Sequence, residues 1–321
     1  MNTKTVLVAG ATGTLGTHIV GALLQEGAHV RAMVRATSDR SRLEALGVTD
    51  FAVADLNDRA SLDRALAAEP GVAAVVSSAA GSTGHSARTK GNSAKTDTEG
   101  YRNLVDAARH ANVPRFVLIS ILECGKAIGV PHFSEKFETE KYLATTRQPY
   151  IALRAGAFLD RARDVVPDHL RKGVFPDILP GVPMALVYSR DLARYASQAA
   201  LRIPDSALNR SVDIGCDVPA TGERVAAAFT RVLGRPIVAR PVFPRILFTV
   251  LPWVAWVSPR LRDNLAVLKW LRKGGYVNRN TGAQKELFGE LPTIEQTVAR
   301  YCRDKGLVPG PGEGAAVPAV S

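Results

Sequence analysis

VLVAGATGTLGTHIV, Val6 to Val20, is the stretch on which the reading of this chain turns. An apolar run, Val6 to Ala9, leads straight into Gly10, Gly13 and Gly16, and a helical pattern follows at once. Glycines at this spacing between a strand and a helix have separate physical tasks. Gly10 allows a tight turn, Gly13 lets backbone N–H groups approach a pyrophosphate, and Gly16 lets the helix pack close to the strand. The helix N-terminus adds a partial positive charge where phosphates would lie. Thr12 and Thr14 can supply hydroxyls, so Gly10, Thr12, Gly13, Thr14, Leu15 and Gly16 are the expected phosphate-side residues. The alternative is a glycine-rich turn that holds no ligand.

Working outward, strand and helix patterns alternate through the first half of the chain. The helix after the glycines carries Leu15, Ile19, Leu23 and Leu24 on one face. Strand His29–Val34, a short helix around Arg42–Leu46 and strand Asp50–Ala54 come next, then helix Asp58–Ala67 and strand Val72–Val76. Helix Asp97–His110, strand Arg115–Ile119, helix Ser134–Ala144 and strand Tyr150–Leu153 complete the series. Strands separated by helices imply βαβ units with right-handed crossovers. Near-continuous apolar strands such as VLVA and FVLIS suit a parallel sheet covered on both faces. The expected fold class is therefore α/β, a doubly wound parallel sheet of Rossmann type with a smaller C-terminal substrate-binding part.

The expected division is a dinucleotide-binding core over 1–155, a substrate-cleft part interleaved with it over 156–308, and a disordered tail over 309–321. Beyond about residue 155 the regular alternation fades, with Pro and Gly clustered at Pro176–Pro183. Helices are expected there at Asp191–Leu201, Gly222–Leu233, Arg260–Arg272 and Thr293–Lys305. The tail from Pro309 (PGPGEGAAVPAVS) has few bulky residues. The polar stretch Gly81 to Lys95 (GSTGHSARTKGNSAK) is expected at the carboxyl edge of the sheet, as a flap over a ligand or as plain disorder.

Composition narrows the function classes. The net charge is +11, but arginine is spread along the whole chain and no basic block is interleaved with aromatics. That pattern argues for a solvated basic surface suited to an anionic cofactor, and against nucleic acid. Cys124, Cys216 and Cys302 show neither metal spacing nor a disulfide framework, which fits a reducing cytoplasm. The strand pattern starts within a few residues of Met1, so no signal peptide is expected. The longest apolar run, Ile246 to Val257, is interrupted by Pro252 and is too short to span a bilayer. With Arg245, Arg260, Arg262, Lys269, Arg272 and Lys273 around it, the 243–273 region reads as a pocket or dimer wall, or as a peripheral membrane contact. A monomer and a homodimer both remain open.

The second strand ends HVRAMVR. An NAD site places an acidic residue about twenty positions past the glycines, to hold the ribose 2′-OH. Arg35 stands there instead, with Thr37, Ser38 and Arg40 close behind. An arginine meets a 2′-phosphate with charge-assisted, bidentate hydrogen bonds, so the expected cofactor is NADP(H). Arg35 as a mere surface cation is the competing reading.

The third strand ends in Ala54-Asp55-Leu56 and the fourth in Ser77-Ser78-Ala79-Ala80. With GATGTLG, the VR after the second strand, ADL, DTEGYRNLVDAARHANVPRFVLIS, KFETEKYL and LRAGAF, the chain resembles the atypical short-chain dehydrogenase/reductase superfamily, in its NmrA-like, NAD(P)H-binding branch. The resemblance covers about residues 4 to 200 well and the rest loosely. It implies that Asp55 and Leu56 border the adenine and that Ser78 and Ala79 line the nicotinamide-side ribose. It also implies that Arg154 to Phe158 is the family's Arg-Pro-Gly turn near the nicotinamide, with Ala155 in place of the proline and Phe158 beside the cofactor.

Members of the wider superfamily use a Tyr-x-x-x-Lys pair, whose lysine binds the ribose and lowers the tyrosine pKa. This chain has HFSEK, with His132 at the tyrosine's place and Lys136 retained. Leu122 occupies the place of the usual serine or threonine. His132, Lys136 and Glu140 recur every four residues and share one helix face. On that face Lys136 could hold ribose hydroxyls, Glu140 could steady Lys136, and a neutral His132 could donate a hydrogen bond or relay a proton. His132 as a polar helix-start residue and Lys136–Glu140 as a solvated pair is the plainer alternative. Arg154 and Asp191 read as a strand-end charge and a helix start. No metal site is expected.

The leading expectation is an NADPH-dependent reductase of an apolar small molecule, a quinone, an enone or a conjugated ketone. Phe158, Phe175, Phe243, Phe248, Trp253 and Trp256 are candidate cleft residues, or core. The alternatives are a non-catalytic NADP(H)-sensing regulatory protein and an accessory protein of a membrane complex.

Overall fold

The computed structural model describes residues 3–80, 96–160, 165–242 and 259–308. The chain divides into two compact units, one of Met1–Ala155, Ser189–Ile214 and Gly282–Gly289, the other of Gly156–Tyr188, Gly215–Thr281 and Glu290–Ser321. The Gly81–Lys95 stretch, the Ile246–Val257 run with Phe243, Phe248, Trp253 and Trp256, and the tail from Pro309 lie outside the described residues.

In the first unit, β1 (Thr5–Ala9) runs through the middle of a parallel sheet with every residue buried. Each fully buried Val or Leu of this strand contributes about 1.5–3 kcal/mol of burial. Around it lie β2 (His29–Val34), β3 (Asp50–Val53), β4 (Val72–Ser77), β5 (Phe116–Ile121) and β6 (Tyr150–Ala155). A late strand, Arg210–Ile214, pairs in parallel with β6 and completes the order 210–214, β6, β5, β4, β1, β2, β3.

Helices cover both faces. α1 (Thr14–Gln25) packs with helix Ser189–Leu201. On the α1 side lies α2 (Ser41–Glu44), a short turn at the edge that packs against α1; on the other face lie α3 (Arg59–Ala67), α4 (Tyr101–His110) and α5 (Pro131–Thr145). Leu7 and Ala9 of β1 join Leu62, Leu66, Tyr101 and Leu104 in one core cluster. Strand alternation sends Val6 and Val8 to the α1 side. Strand order reverses between β1 and β4, so the crevice beyond their carboxyl ends is the topological switch point where ligands bind in such sheets. The expected doubly wound α/β sheet is the fold observed.

Local differences have local causes. The helix expected from Asp97 opens as a wider π-type turn, Thr96–Gly100, and becomes α-helical only at Tyr101. α5 begins three residues before its expected start, because Pro131 suits the first helical turn, and His132 follows it there. The strand at 210–214 was not expected. Its polar residues Arg210, Ser211 and Asp213 hid an element recognised only by its pairing.

In the second unit, β7 (Ala157–Phe158) pairs with β9 (Leu186–Val187), and β8 (Val174–Asp177) with β11 (Val238–Pro241), numbering the 210–214 strand β10. Its helices are α6 (Val166–Arg171), α8 (Gly222–Leu233), α9 (Pro259–Arg272) and α11 (Ile294–Asp304); helices Ser189–Leu201 (α7) and Gly282–Phe288 (α10) belong to the first unit. An aromatic chain, Phe175 to Phe229 to Tyr301 to Tyr188, with ring centroids 5.6, 5.9 and 5.7 Å apart, forms its core. α11 starts with a capping box between Thr293 and Gln296. Among the described residues, no helix is long and apolar enough to cross a membrane.

Candidate functional site

The glycine turn joins β1 to α1, and each glycine answers to a different contact. Gly10 has φ +82°, and a Cβ there would lie 2.7 Å from the Ala79 nitrogen at the end of β4. A Cβ on Gly16 would lie 2.0 Å from the Gly10 carbonyl oxygen. Only glycine permits either approach. Among the described residues, the atom a Cβ on Gly13 would meet is the Gly10 oxygen, at 3.3 Å. The fold itself therefore barely constrains Gly13, and what it keeps open is the outer side of the turn.

The Gly13 N–H donates to the Gly10 oxygen (3.1 Å), which closes the turn. Gly13 is also the N-cap of α1 and offers no side-chain cap, so the first amides of this helix face outward without one. Thr12, Gly13 and Thr14 are exposed and Leu15 is half-buried. A bare backbone cradle, a helix N-terminus and two exposed hydroxyls are the donor set a pyrophosphate requires.

The other expected cofactor residues lie at the carboxyl ends of neighbouring strands. Arg35 directly follows β2 and is exposed, and its backbone exchanges hydrogen bonds with Ser38, N–H to Oγ at 3.1 Å and Ser38 N–H to its carbonyl at 3.0 Å. Among the described residues no carboxylate pairs with its guanidinium. Asp55 accepts from the Asn57 N–H at 2.8 Å and from Asn57 Nδ2 at 3.2 Å, and its backbone N–H donates to Ser61 Oγ. Leu56 is buried against Gly100, while its carbonyl accepts from Asn103 at 3.0 Å. The Ser78 N–H donates to the Ala9 oxygen (3.0 Å), tying β4 to β1. Gly10, Ser78, Ala79 and Lys136 are thus brought together, with Arg35 and Asp55 along the same edge.

Lys136 is 7% exposed. Its Nζ donates to the Ala79 oxygen (3.0 Å), lies 3.7 Å from Asp97 Oδ1 and stands 3.9 Å over the Tyr101 ring. The Tyr101 hydroxyl donates to the same Ala79 oxygen. The lysine therefore clamps the end of β4, and the solvated Lys136–Glu140 pair does not form. Glu140 does not steady Lys136 either. One helical turn further on, Glu140 faces the strand ends and takes Arg154 of β6 instead, with N···O distances of 2.6, 3.0 and 3.1 Å. His132 is half-buried in the first turn of α5, edge-on to Phe133 at 4.8 Å. Leu122 is fully buried, its N–H donating to the Ala155 oxygen (3.0 Å), and its place is closed to polar chemistry.

Arg154 is more than a strand-end charge. Sheet register aligns Ser120 of β5, Arg154 of β6 and Asp213 of β10 in one row. Glu140, 4% exposed, accepts from the Ser120 and Ser211 hydroxyls as well as from Arg154, and the Cys124 thiol is 3.5 Å away. Burial lowers the Arg154 pKa, but hydrogen bonds and charge from Glu140 outweigh it and leave the guanidinium above its ordinary value. Burial raises Asp213, which Arg154 only partly offsets. Burial and the Glu140 charge push Cys124 up to about 12, leaving an inert thiol. Helical spacing marked the Glu140 face, but the partner opposite it depended on sheet register. Asp191 lies in the first turn of α7, which begins two residues earlier than expected, at Ser189; it is buried and paired with Arg194 at 2.6 Å.

Ala155 ends β6 and is buried. Phe158 belongs to the second unit, where it lines a small cavity with Phe175. Among the described residues no His, Cys, Asp or Glu cluster could hold a metal ion.

A family model described as the NmrA-like family matches residues 2–259. Photosystem II assembly factor Ycf39 of Synechocystis sp. is 29% identical over 196 residues, 60% of this chain and 57% of that protein. The chain thus spans little more than half the length of that relative. Quinone oxidoreductase 2 of Escherichia coli is 27% identical over 236 residues, 72% of this chain and 76% of that protein. A crystal structure of the E. coli NADPH-dependent quinone oxidoreductase QOR2 with NADPH superposes with a TM-score of 0.67 at 23% identity, covering 92% of this chain and 99% of that one. That last likeness is one of fold.

Proposed function

The chain belongs to the NmrA-like family, and from that premise we propose that it is an NADPH-dependent reductase of an apolar small molecule, a quinone, an enone or a conjugated ketone. The observation that carries this reading is the outward-facing turn at Gly13, with exposed Arg35 along the same sheet edge. A pyrophosphate on the first α1 amides and a 2′-phosphate on Arg35 would account for both.

In this reading Gly10, Thr12, Gly13, Thr14, Leu15 and Gly16 hold the pyrophosphate. Arg35 takes the 2′-phosphate, and Asp55 and Leu56 border the adenine. Ser78, Ala79 and Lys136 define the ribose end, where Lys136 acts chiefly by fixing the Ala79 carbonyl. Ala155, at the end of β6, approaches the nicotinamide. The bound cofactor supplies the hydride. The chain contributes position, and His132 is the candidate proton donor to the substrate oxygen. With Leu122 buried in place of a hydroxyl, acceptors that need little acid assistance suit this site best. We place the protein in the cytoplasm, as a monomer or homodimer.

A second reading, an accessory protein of a membrane complex, is favoured by the relative that is named an assembly factor. One assay separates the two: NADPH oxidation, followed by its absorbance, across a panel of quinones and enones. The reductase reading expects steady turnover that drops in His132→Phe with NADPH affinity unchanged. Tight NADPH binding with no oxidation by any acceptor would overturn it in favour of the sensor or accessory role.

A further inference from the structure

The turn Thr96–Gly100, at the start of α4, joins two parts of the first unit that lie far apart in sequence. It is wound as a π-turn and passes into α-helix only at Tyr101. Such widened turns are frequent at functional sites.

On one side the turn meets α5. The Thr139 hydroxyl lies 3.4 Å from the Asp97 carbonyl oxygen, and Lys136 Nζ stands 3.7 Å from Asp97 Oδ1. On the other side it meets the segment that follows β3. Asn57 Nδ2 donates to Thr96 Oγ1 at 3.2 Å and to Asp55 Oδ1 at 3.2 Å. Asn103 Nδ2, from the first turn of α4, donates to the Leu56 oxygen at 3.0 Å.

Gly100 is where these two segments come closest. Its φ of −61° and ψ of −39° are ordinary helical values that any residue adopts, and alanine suits them better than glycine. The reason for a glycine is therefore its surroundings. A Cβ at this buried position would lie 2.9 Å from Leu56 Cβ and 3.5 Å from the Leu56 carbonyl carbon and oxygen. Leu56 Cβ is fixed to its own backbone and cannot swing aside as the tip of a long side chain does. Its carbonyl is held by Asn103, and its side chain is buried. Even a methyl group at position 100 must then push the Asp55–Asn57 backbone away from the π-turn.

We propose that Gly100 is a positioning residue for the adenine end of the cofactor site. By carrying no side chain it lets the Asp55–Asn57 turn seat on the π-turn, which sets where Asp55 and Leu56 stand. The inference rests on the reading that these two residues border the adenine.

The test divides NADPH into its halves. Binding of adenosine 2′,5′-bisphosphate and of reduced nicotinamide mononucleotide to the full chain is measured by ligand-observed NMR. Gly100→Ala should weaken the adenosine half at least about five-fold and leave the nicotinamide half unchanged. Asn57→Ala removes an exposed side chain and unties the turn from Thr96, so it should weaken the adenosine half in the same direction with the urea midpoint close to wild type. The proposal is overturned if folded Gly100→Ala binds the adenosine half as tightly as the wild type, or loses both halves by the same factor, as a merely structural role would require. Where Gly100→Ala does not fold, unchanged adenosine binding in Asn57→Ala overturns it. A wild-type chain that binds no adenosine bisphosphate overturns the dinucleotide site itself, and this inference with it.

Discussion

Replacing Glu140 by Gln preserves the shape of the side chain and leaves Arg154 without its counter-charge. Breaking a fully buried ion pair from one side costs about 3–5 kcal/mol, most of it the penalty of an orphaned charge. Here Glu140 is buried, but the Arg154 side chain is 27% exposed, so water reaches the stranded guanidinium. Solvent screening brings the expected cost to about 2–3 kcal/mol. The glutamine amide can still accept from one of the Ser120 and Ser211 hydroxyls, so the loss reports the charge pair rather than the network. With a urea slope of about 2.5 kcal/mol/M, the unfolding midpoint of the first unit should fall by about 1 M. Arg154→Met alone strands Glu140 in turn. The double variant removes both charges and should be more stable than the two single costs predict, by about 1.5 kcal/mol or more. Far-UV circular dichroism during urea denaturation measures all four chains. A midpoint shift below about 0.2 M for Glu140→Gln, or additive single costs, would refute the pairing.

Two further predictions come from the same unit. Gly13→Ala should leave the unfolding midpoint nearly unchanged but weaken NADPH binding at least ten-fold in a fluorescence titration, whereas Gly16→Ala, whose Cβ would lie 2.0 Å from the Gly10 oxygen, should destabilise the fold itself. Asp213 has a folded pKa raised by burial, so the folded chain holds this proton more tightly than the unfolded chain. Its contribution to stability is then fully present below the unfolded carboxyl value and is lost as pH rises through the folded one. Asp213→Asn should accordingly raise the thermal midpoint at pH 7 relative to the wild type, with the gain shrinking toward pH 3.

The sheet was legible because its information is local. VLVA, HVRAMV and FVLIS are near-continuous apolar runs despite the buried Arg31 and Ser120, and the glycines mark the turn by steric demands that few other settings make. β8 and β11 escaped notice, since VFPD and VARP are short and carry prolines that suit a two-stranded ribbon at an edge. The Glu140 partnership was illegible for a different reason. Its helix face follows from spacing, but Ser120, Arg154 and Ser211 meet it only through the register of three strands distant in sequence.

The central claim is a site for a phosphorylated dinucleotide, and the affinities of NADPH and NADH at one fixed salt concentration test it most directly. A charge-assisted hydrogen bond to the 2′-phosphate is worth about 1.5–3 kcal/mol, so NADPH should bind the wild-type chain at least about ten-fold more tightly. Arg35→Ala should bring NADPH close to the NADH value and leave NADH unchanged. Equal affinities in the wild-type chain, or an Arg35→Ala variant that keeps the full preference, would contradict the account.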